Sequence, residues 1–207
     1  LQMRSQDEDP YQVANACATT AYTACKLGDG SYVEFMATHL ENSDNNSLLT
    51  HGYLFMGMSE GSRDVLSAML TGHASDSGRL GALEGLRNAA TSGKLTPEEL
   101  TALGSGALGS ETDPGNRLLL YEMVVAAGGE GGLAWVEEKI RNGDPEAIKN
   151  ALTFLTLQAS PERSLALLQE LAAREDLEAE GRTAVLNAFG ALPGTEGREF
   201  LLATAGD

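Results

Sequence analysis

The prolines are the most constraining feature of this chain, because they mark where one helix after another begins. Five of the six follow a residue whose side-chain oxygen can cap a helix. Such a cap followed by Pro at the first helical position is a strong start signal, since the N–H that Pro lacks has no helical partner there. The pattern predicts helix starts at Asp9-Pro10, Thr96-Pro97, Asp113-Pro114, Asp144-Pro145 and Ser160-Pro161. Glu99, three residues after Thr96, completes a capping-box pattern.

The apolar residues between these starts recur with a helical period. Ile148, Ala151, Leu152 and Leu155 fall on one stripe of a helix, and no segment sustains the two-residue alternation of a strand. The scarcity of aromatic residues, at 5%, also favours closely packed helices over a sheet core. The pattern predicts helices at 11–26, 31–40, 46–57, 61–72, 77–91, 96–107, 113–127, 131–141, 144–158, 160–174, 179–191 and 194–205.

These helices fall into pairs that recur every 29 to 36 residues, with short turns between them. A period of this size is typical of helical repeat arrays, in which each pair buries its apolar face against its neighbours. We therefore expect an all-α fold, an α-solenoid of about six antiparallel helix pairs (an α-α superhelix). Residues 1–10 are expected to form a polar arm. Residues 11–207 are expected to form one helical-repeat domain, irregular over 11–110 and regular over 111–207.

Glycines make the first half irregular. Gly52, Gly57, Gly81 and Gly85 fall in or beside predicted helices, where each interior Gly weakens a helix by about 1 kcal/mol relative to Ala. Segment 102–112 is expected to fray or to be partly loop for the same reason, and the Gly-rich segment 128–132 is expected to be a flexible turn between helices.

The second half repeats a recognisable unit: an Asp-Pro start, a helix of the Ala-Leu-x-x-Leu kind, a turn and a second Leu-rich helix. The segments are Ala147-Ile148-Lys149-Asn150-Ala151-Leu152, Leu165-Ala166-Leu167-Leu168 and Ala184-Val185-Leu186-Asn187-Ala188-Phe189. Over residues 113–207 the chain thus resembles HEAT-like repeats of the short type. The tetratricopeptide repeat has a similar period and is the rival, although its Trp, Gly and Tyr positions are not reproduced here. The resemblance implies a stacked scaffold, a class that hosts many roles.

The charge narrows the choice of partner. The formal net charge is −16, and a field of that sign repels nucleic-acid backbones and anionic membranes. A basic protein partner suits it better, although a negative surface also serves solubility alone. No apolar run reaches the 18 residues of a candidate membrane-spanning helix, so we expect no integral span.

The chain begins at Leu1, so we expect that an upstream segment has been removed; the compartment stays open between exported (periplasmic) and cytoplasmic. Cys17 and Cys25 are the only cysteines. In one helix their Cα atoms would lie roughly 12 Å apart, whereas a disulfide needs less than about 7 Å. They are either two buried small residues or, if the helix breaks, a disulfide.

Residues that carry chemistry are few. His39, His51 and His73 lack the spacing of metal ligands. Residues 73–76 contain His, Ser and Asp, but a hydrolytic triad is assembled from distant segments, so we expect Ser75 or Asp76 to cap a helix instead. The Gly-rich segment at 128–132 lacks the Lys of a phosphate loop. We therefore expect no catalytic residue, metal or cofactor.

Five residues are candidate partner-binding positions: Tyr53, Phe55 and Met56 in the most apolar patch, and Tyr121 and Trp135 on neighbouring predicted helices. Met-rich and Trp-containing surfaces adapt to and anchor partners, although core packing is the alternative for all five. The sequence thus favours a non-catalytic protein-interaction scaffold with an acidic extended surface. The second hypothesis is an accessory or structural subunit of a larger, membrane-associated or free, assembly. The sequence leaves the oligomeric state open.

Overall fold

The computed structural model describes residues 19, 20, 23, 24, 31–41, 43 and 45–204. Residues 19, 20, 23 and 24 are helical. The polar arm at 1–10, both cysteines and most of the predicted helix at 11–26 lie outside the described residues.

The fold of the described residues is all-helical, without a strand. Eleven helices start and stop close to the positions that the caps and the apolar period predict. They are α1 (Ser31–Glu41), α2 (Asn46–Met56), α3 (Ser62–Gly72), α4 (Asp76–Thr91), α5 (Pro97–Leu108), α6 (Pro114–Ala127), α7 (Gly129–Arg141), α8 (Pro145–Gln158), α9 (Pro161–Ala172), α10 (Ala179–Ala191) and α11 (Glu196–Thr204).

Of two sequence expectations about glycine-rich segments, one is confirmed in part and the other is wrong. The segment expected to fray or to be partly loop is helical as far as Leu108 and non-helical over 109–112. The segment expected to be a flexible turn is instead the first turn of α7, which begins at Gly129. Gly129 takes the left-handed conformation, with φ of 57°. The turn between α6 and α7 is therefore shorter than the run of glycines suggests.

The polar caps set the helix starts. The Thr96 hydroxyl accepts from the Glu99 backbone N–H at 3.2 Å, and the Glu99 carboxylate accepts from the Thr96 N–H at 2.9 Å, which is a complete capping box. Asp113, Asp144 and Ser160 likewise accept backbone N–H groups in the first turns of α6, α8 and α9. Each cap satisfies a donor that the helix itself leaves unpaired.

The chain divides into two compact units, the first ending at Leu120 and the second beginning at Tyr121, so the division falls within α6. In the first unit, α4 packs mainly on α2 and α3. Large apolar side chains fill the core of this unit: Leu40, Leu49, Tyr53, Met56, Leu66, Leu83, Leu86 and Leu100.

Glycines bring α2 and α4 into backbone contact. A Cβ atom on Gly81 would lie 2.6 Å from the carbonyl oxygen of Leu49, and one on Gly85 would lie 2.4 Å from that of Tyr53. Asn88, further along the same face of α4, donates to the carbonyl of Leu54 at 3.0 Å. These glycines therefore serve a close helix crossing, which offsets the helix propensity they give up.

In the second unit, α8 packs against α7 and α10, and α11 packs against α10. The fully buried face of α8 carries the predicted stripe of Ile148, Ala151, Leu152 and Leu155, together with Ala147. Phe189 of α10 stacks on Phe200 of α11, with ring centroids 4.6 Å apart and planes 14° from parallel. The short side chains of Ala147 and Ala151 on the buried face of α8 suit close packing between helices.

Many of the side-chain hydrogen bonds that join distant segments within each unit link residues 31 to 36 positions apart. Their separations include 33 residues for His73 with Leu40, 34 for Asn88 with Leu54 and 36 for Arg63 with Glu99 in the first unit. In the second unit they include 31 for Lys149 with Glu180, 33 for Arg163 with Glu130 and 33 for Arg174 with Arg141. Hydrogen bonds of similar sequence separation therefore recur in both units.

Candidate functional site

The five candidate partner-binding residues differ in exposure. Tyr53, Met56 and Tyr121 are 0%, 2% and 3% exposed, so the alternative of core packing describes all three. Phe55 and Trp135 are partly exposed. Phe55 belongs to the first unit and Trp135 to the second, and only Trp135 lies on a helix that also carries exposed charges.

Trp135 lies on the flank of α7. One side of its ring rests on Tyr121, with centroids 6.3 Å apart and planes inclined by 32°. The Lys139 ammonium group lies 5.6 Å from the ring centroid, within the range of a cation–π interaction. Gly131, one turn earlier on the helix, is exposed and has no atom within 4 Å of where its Cβ would be. The indole therefore has a buried aromatic support and an approach unobstructed by the preceding turn.

The other flank of α7 carries an ionic network shared with α9. Arg163 donates to Glu137 at 2.7 Å and to Glu130 at 2.9 Å. Arg141 donates to Glu137 at 2.9 Å and also pairs with Glu170. Burial alone would raise the pKa of Glu137, but the hydrogen bonds from Arg141 and Arg163 outweigh it and hold that pKa below its usual range. The network joins α7 to α9 and leaves both arginines fully engaged.

Three other basic residues of this unit also form described hydrogen bonds or ion pairs. Lys149 pairs with Glu180 at 2.9 Å, and Arg174 pairs with Asp176 through two hydrogen bonds. Arg182 donates to backbone carbonyls at Leu177 and Glu175. The ion pairs offset the positive charge of Lys149 and Arg174, whereas the described bonds of Arg182 go to neutral carbonyls and leave its charge uncompensated.

Several carboxylates of the second unit, in contrast, are exposed and have no ion pair with a described residue. They are Glu138 on α7, Glu162 on α9, Glu178 before α10 and Glu199 on α11. We call this set the free carboxylates. Because Arg141, Lys149, Arg163 and Arg174 are already paired with other acids, the free carboxylates present negative charge to solvent, with Lys139 beside Glu138 as a base unpaired among the described residues.

A buried charged cluster in the first unit uses its polar atoms internally. Glu111, 4% exposed, accepts from Arg79 at 2.9 and 3.0 Å, from the Asp113 backbone N–H at 2.8 Å and from Asn116 at 3.2 Å. Burial raises the pKa of Glu111, but the hydrogen bonds from Arg79, Asp113 and Asn116 outweigh it and lower that pKa to about 2. The cluster fastens the start of α4 to the loop between α5 and α6, which is a structural role.

The segment that contains His73, Ser75 and Asp76 also has a structural role. His73 is buried, and its Nδ1 accepts the Ser75 backbone N–H at 3.0 Å. That bond places the proton on Nε2, which donates to the carbonyl of Leu40 at 3.3 Å. Ser75 occupies the N-cap position of α4 but its side chain makes no capping bond, and Asp76 pairs with Arg79.

Tyr53 has the one buried side-chain polar atom that lacks a hydrogen-bond partner among the described residues, its hydroxyl. Its ring meets that of His73 edge-on, with centroids 5.9 Å apart. Burial, with a smaller contribution from the Glu41 carboxylate, raises the pKa of Tyr53 to about 12. The hydroxyl therefore stays protonated at neutral pH.

An apolar hollow of the second unit lies between the end of α9 and the start of α10, with a volume of about 220 Å³. Leu171, Leu177 and Val185 line it, and Leu186, 56% exposed, stands at its edge. The ionisable groups that line it are Arg174 and Arg182, whose bonds are described above. The hollow is thus apolar and shallow.

Within the described residues, no group of three or more His, Cys, Asp or Glu side chains is arranged to hold a metal ion. None of the helices among these residues is both long and apolar enough to cross a membrane. Comparisons with protein-family models, with curated proteins and with solved structures yield no match to the chain.

Proposed function

We propose that the chain is a non-catalytic protein-interaction scaffold whose second unit presents an acidic surface to a basic partner. The observation that carries this proposal is the contrast on that unit between occupied bases and free carboxylates. Arg141, Arg163 and Arg174 are bonded to protein oxygens, while Glu138 and Glu162 face solvent without an ion pair to a described residue. A surface with this arrangement attracts cations.

The proposal includes a repeat architecture of solenoid type, in which each unit is a stack of helix pairs. Bonds between residues one pair apart support it, because each pair in a helical array contacts its neighbours. A recurring arginine supports it further. Arg79, Arg117 and Arg182 each stand at the fourth residue of the first helix of a pair and donate to a carbonyl of the preceding segment. The acceptors are His73 at 2.9 Å, Leu108 at 2.6 Å and Leu177 at 2.9 Å.

We propose further that these pairs are HEAT-like, as the resemblance over residues 113–207 implies. The Asp and Ser caps at Asp113, Asp144 and Ser160 support this, because each starts a helix of the expected unit. The tetratricopeptide repeat stays the rival, since both families stack antiparallel helix pairs.

A titration with a basic peptide tests the scaffold proposal. In one variant, Glu138, Glu162, Glu178 and Glu199 are changed to Gln, which removes the free carboxylates. Exposed charges that contribute a few tenths of a kcal/mol each predict an affinity loss of about five- to tenfold, measured by calorimetry. The matched control removes four exposed carboxylates from the first unit: Glu34, Glu60, Asp64 and Glu98.

The control variant should keep most of the affinity although its net charge changes equally. Equal losses in both variants would show a response to net charge alone and would contradict a surface on the second unit. No detectable binding by the unchanged protein would contradict the scaffold proposal itself.

The alternative function is an accessory or structural subunit of a larger assembly. Exposed leucines favour it: Leu157, Leu186 and Leu202 are 59%, 56% and 66% exposed, and Leu186 borders the apolar hollow between α9 and α10. Apolar contacts are insensitive to screening by salt. A complex from the native source that keeps a fixed stoichiometry at about 1 M salt would favour this alternative over the acidic scaffold.

A further inference from the structure

Trp135 combines three features that suit it to receive a cation from outside the molecule. It is partly exposed, its ring is supported by the buried Tyr121, and a cation already lies against it, that of Lys139. Trp is the aromatic side chain that binds cations best. It is also the only Trp of the chain.

Apart from the Trp135 ring, no described contact holds the Lys139 side chain in this position. Its side chain is exposed and makes no ion pair with a described residue, so the ring is its one described contact. Exposed cation–π contacts are weak, and an ammonium group is strongly hydrated. Lys139 can therefore leave the ring at small cost, and Gly131 adds no side chain that would obstruct what replaces it.

On the basis of the proposed acidic scaffold, we propose that the Trp135 indole binds an arginine side chain of the basic partner, and that this side chain displaces Lys139. A guanidinium group stacks on an aromatic plane and is less strongly hydrated than an ammonium group, so arginine is preferred over lysine at this position. Glu138, exposed on the same helix three residues on, supplies a carboxylate that the guanidinium group can pair with.

Charge complementarity identifies this occupant. A guanidinium group enters a field that the free carboxylates make negative, whereas an anionic ligand would be repelled by it. Lys139 marks the position on the ring where the cation of a partner would lie.

The test titrates two peptides of equal length and charge, one with arginines and one with lysines at the same positions, while Trp135 fluorescence and calorimetric heat are recorded together. The arginine peptide should change the fluorescence and bind roughly two- to fivefold tighter than the lysine peptide. Trp135→Leu should remove that preference. Lys139→Ala should tighten arginine binding by a similar factor, because the competing cation is gone.

Lys149→Ala is the matched control, since it removes an exposed lysine of the same unit whose partner is Glu180 and not an aromatic ring. It should tighten binding less than Lys139→Ala. Calorimetric binding with unchanged fluorescence and equal affinities for the two peptides would overturn the Trp135 proposal and leave the scaffold proposal standing. Absence of binding for both peptides would overturn both.

Discussion

Replacing Gly85 with alanine should destabilise the first unit, because α4 has no room for a methyl group at this position. The added Cβ would lie 2.4 Å from the Tyr53 carbonyl oxygen and 2.8 Å from a methyl carbon of Leu66. The leucine methyl group can rotate away, but the carbonyl belongs to the backbone of α2 and cannot. Relief therefore requires α2 and α4 to move apart locally by about 1 Å, the difference from ordinary contact.

The energy follows from three effects. Overfilling a packed core costs about 1–3 kcal/mol. Separation of the helices also weakens the hydrogen bond from Asn88 to Leu54, which contributes about 1 kcal/mol. Alanine regains about 1 kcal/mol of helix propensity. The net loss in the free energy of unfolding is about 1–3 kcal/mol, and the midpoint of thermal unfolding should fall by about 3–10 °C.

Gly106→Ala is the matched control, since Gly106 lies within α5 and a Cβ there would have no atom within 4 Å. That variant should be as stable as the unchanged protein or up to about 1 kcal/mol more stable. Both variants would be compared by circular dichroism during thermal and urea unfolding. If Gly85→Ala melts at or above the midpoint of Gly106→Ala, the close contact of α2 and α4 is refuted.

Three further predictions concern polar groups. Tyr53→Phe should keep or raise the free energy of unfolding, because it removes a buried hydroxyl without a described partner; a loss above about 1 kcal/mol in urea unfolding would reveal a partner. Glu111→Gln should cost about 3 kcal/mol at neutral pH, since Arg79 loses its buried counter-charge. Folding lowers the pKa of Glu111 to about 2. The Glu111 carboxylate therefore stabilises the folded state fully above its unfolded pKa, and this stabilisation is lost as the pH falls through about 2. Equal acid sensitivity of the variant and the unchanged protein would contradict this. Thr96→Ala should cost about 1 kcal/mol by breaking the capping box, and Thr96→Ser, which keeps the hydroxyl, should cost less, as urea midpoints would show.

The helix positions could be predicted because their signals are local. Thr96, Asp144 and Ser160 cap helices through bonds to their own next few residues, and the apolar stripe of α8 is a property of one helix. Such patterns hold whatever packs against them.

The role of the glycines could not be predicted, because it depends on a second helix. The cost of Gly81 and Gly85 to helix propensity is visible in the sequence, but their approach to the backbone of α2 is set by the packing of the two helices. Likewise, the sequence places Tyr121 and Trp135 on adjacent helices without showing that one is buried and the other partly exposed.

The ionic pairs of the candidate surface escaped prediction for a similar reason. Arg163 and Glu137 are 26 residues apart in the chain, and sequence spacing alone does not show which acidic residue will pair with a given basic residue. Their pairing determines which charges remain free, and the candidate surface depends on it.

The most direct measurement of the central claim is the affinity of the unchanged chain for a basic peptide as salt is raised. The titrations are carried out by calorimetry at about 0.1 M and about 1 M salt, because this increase shortens the Debye length from about 10 Å to about 3 Å. An acidic scaffold predicts binding at low salt that weakens by an order of magnitude or more at high salt, and no binding of an acidic peptide of equal length. Affinity that is unchanged by salt, or equal for the acidic peptide, would contradict it.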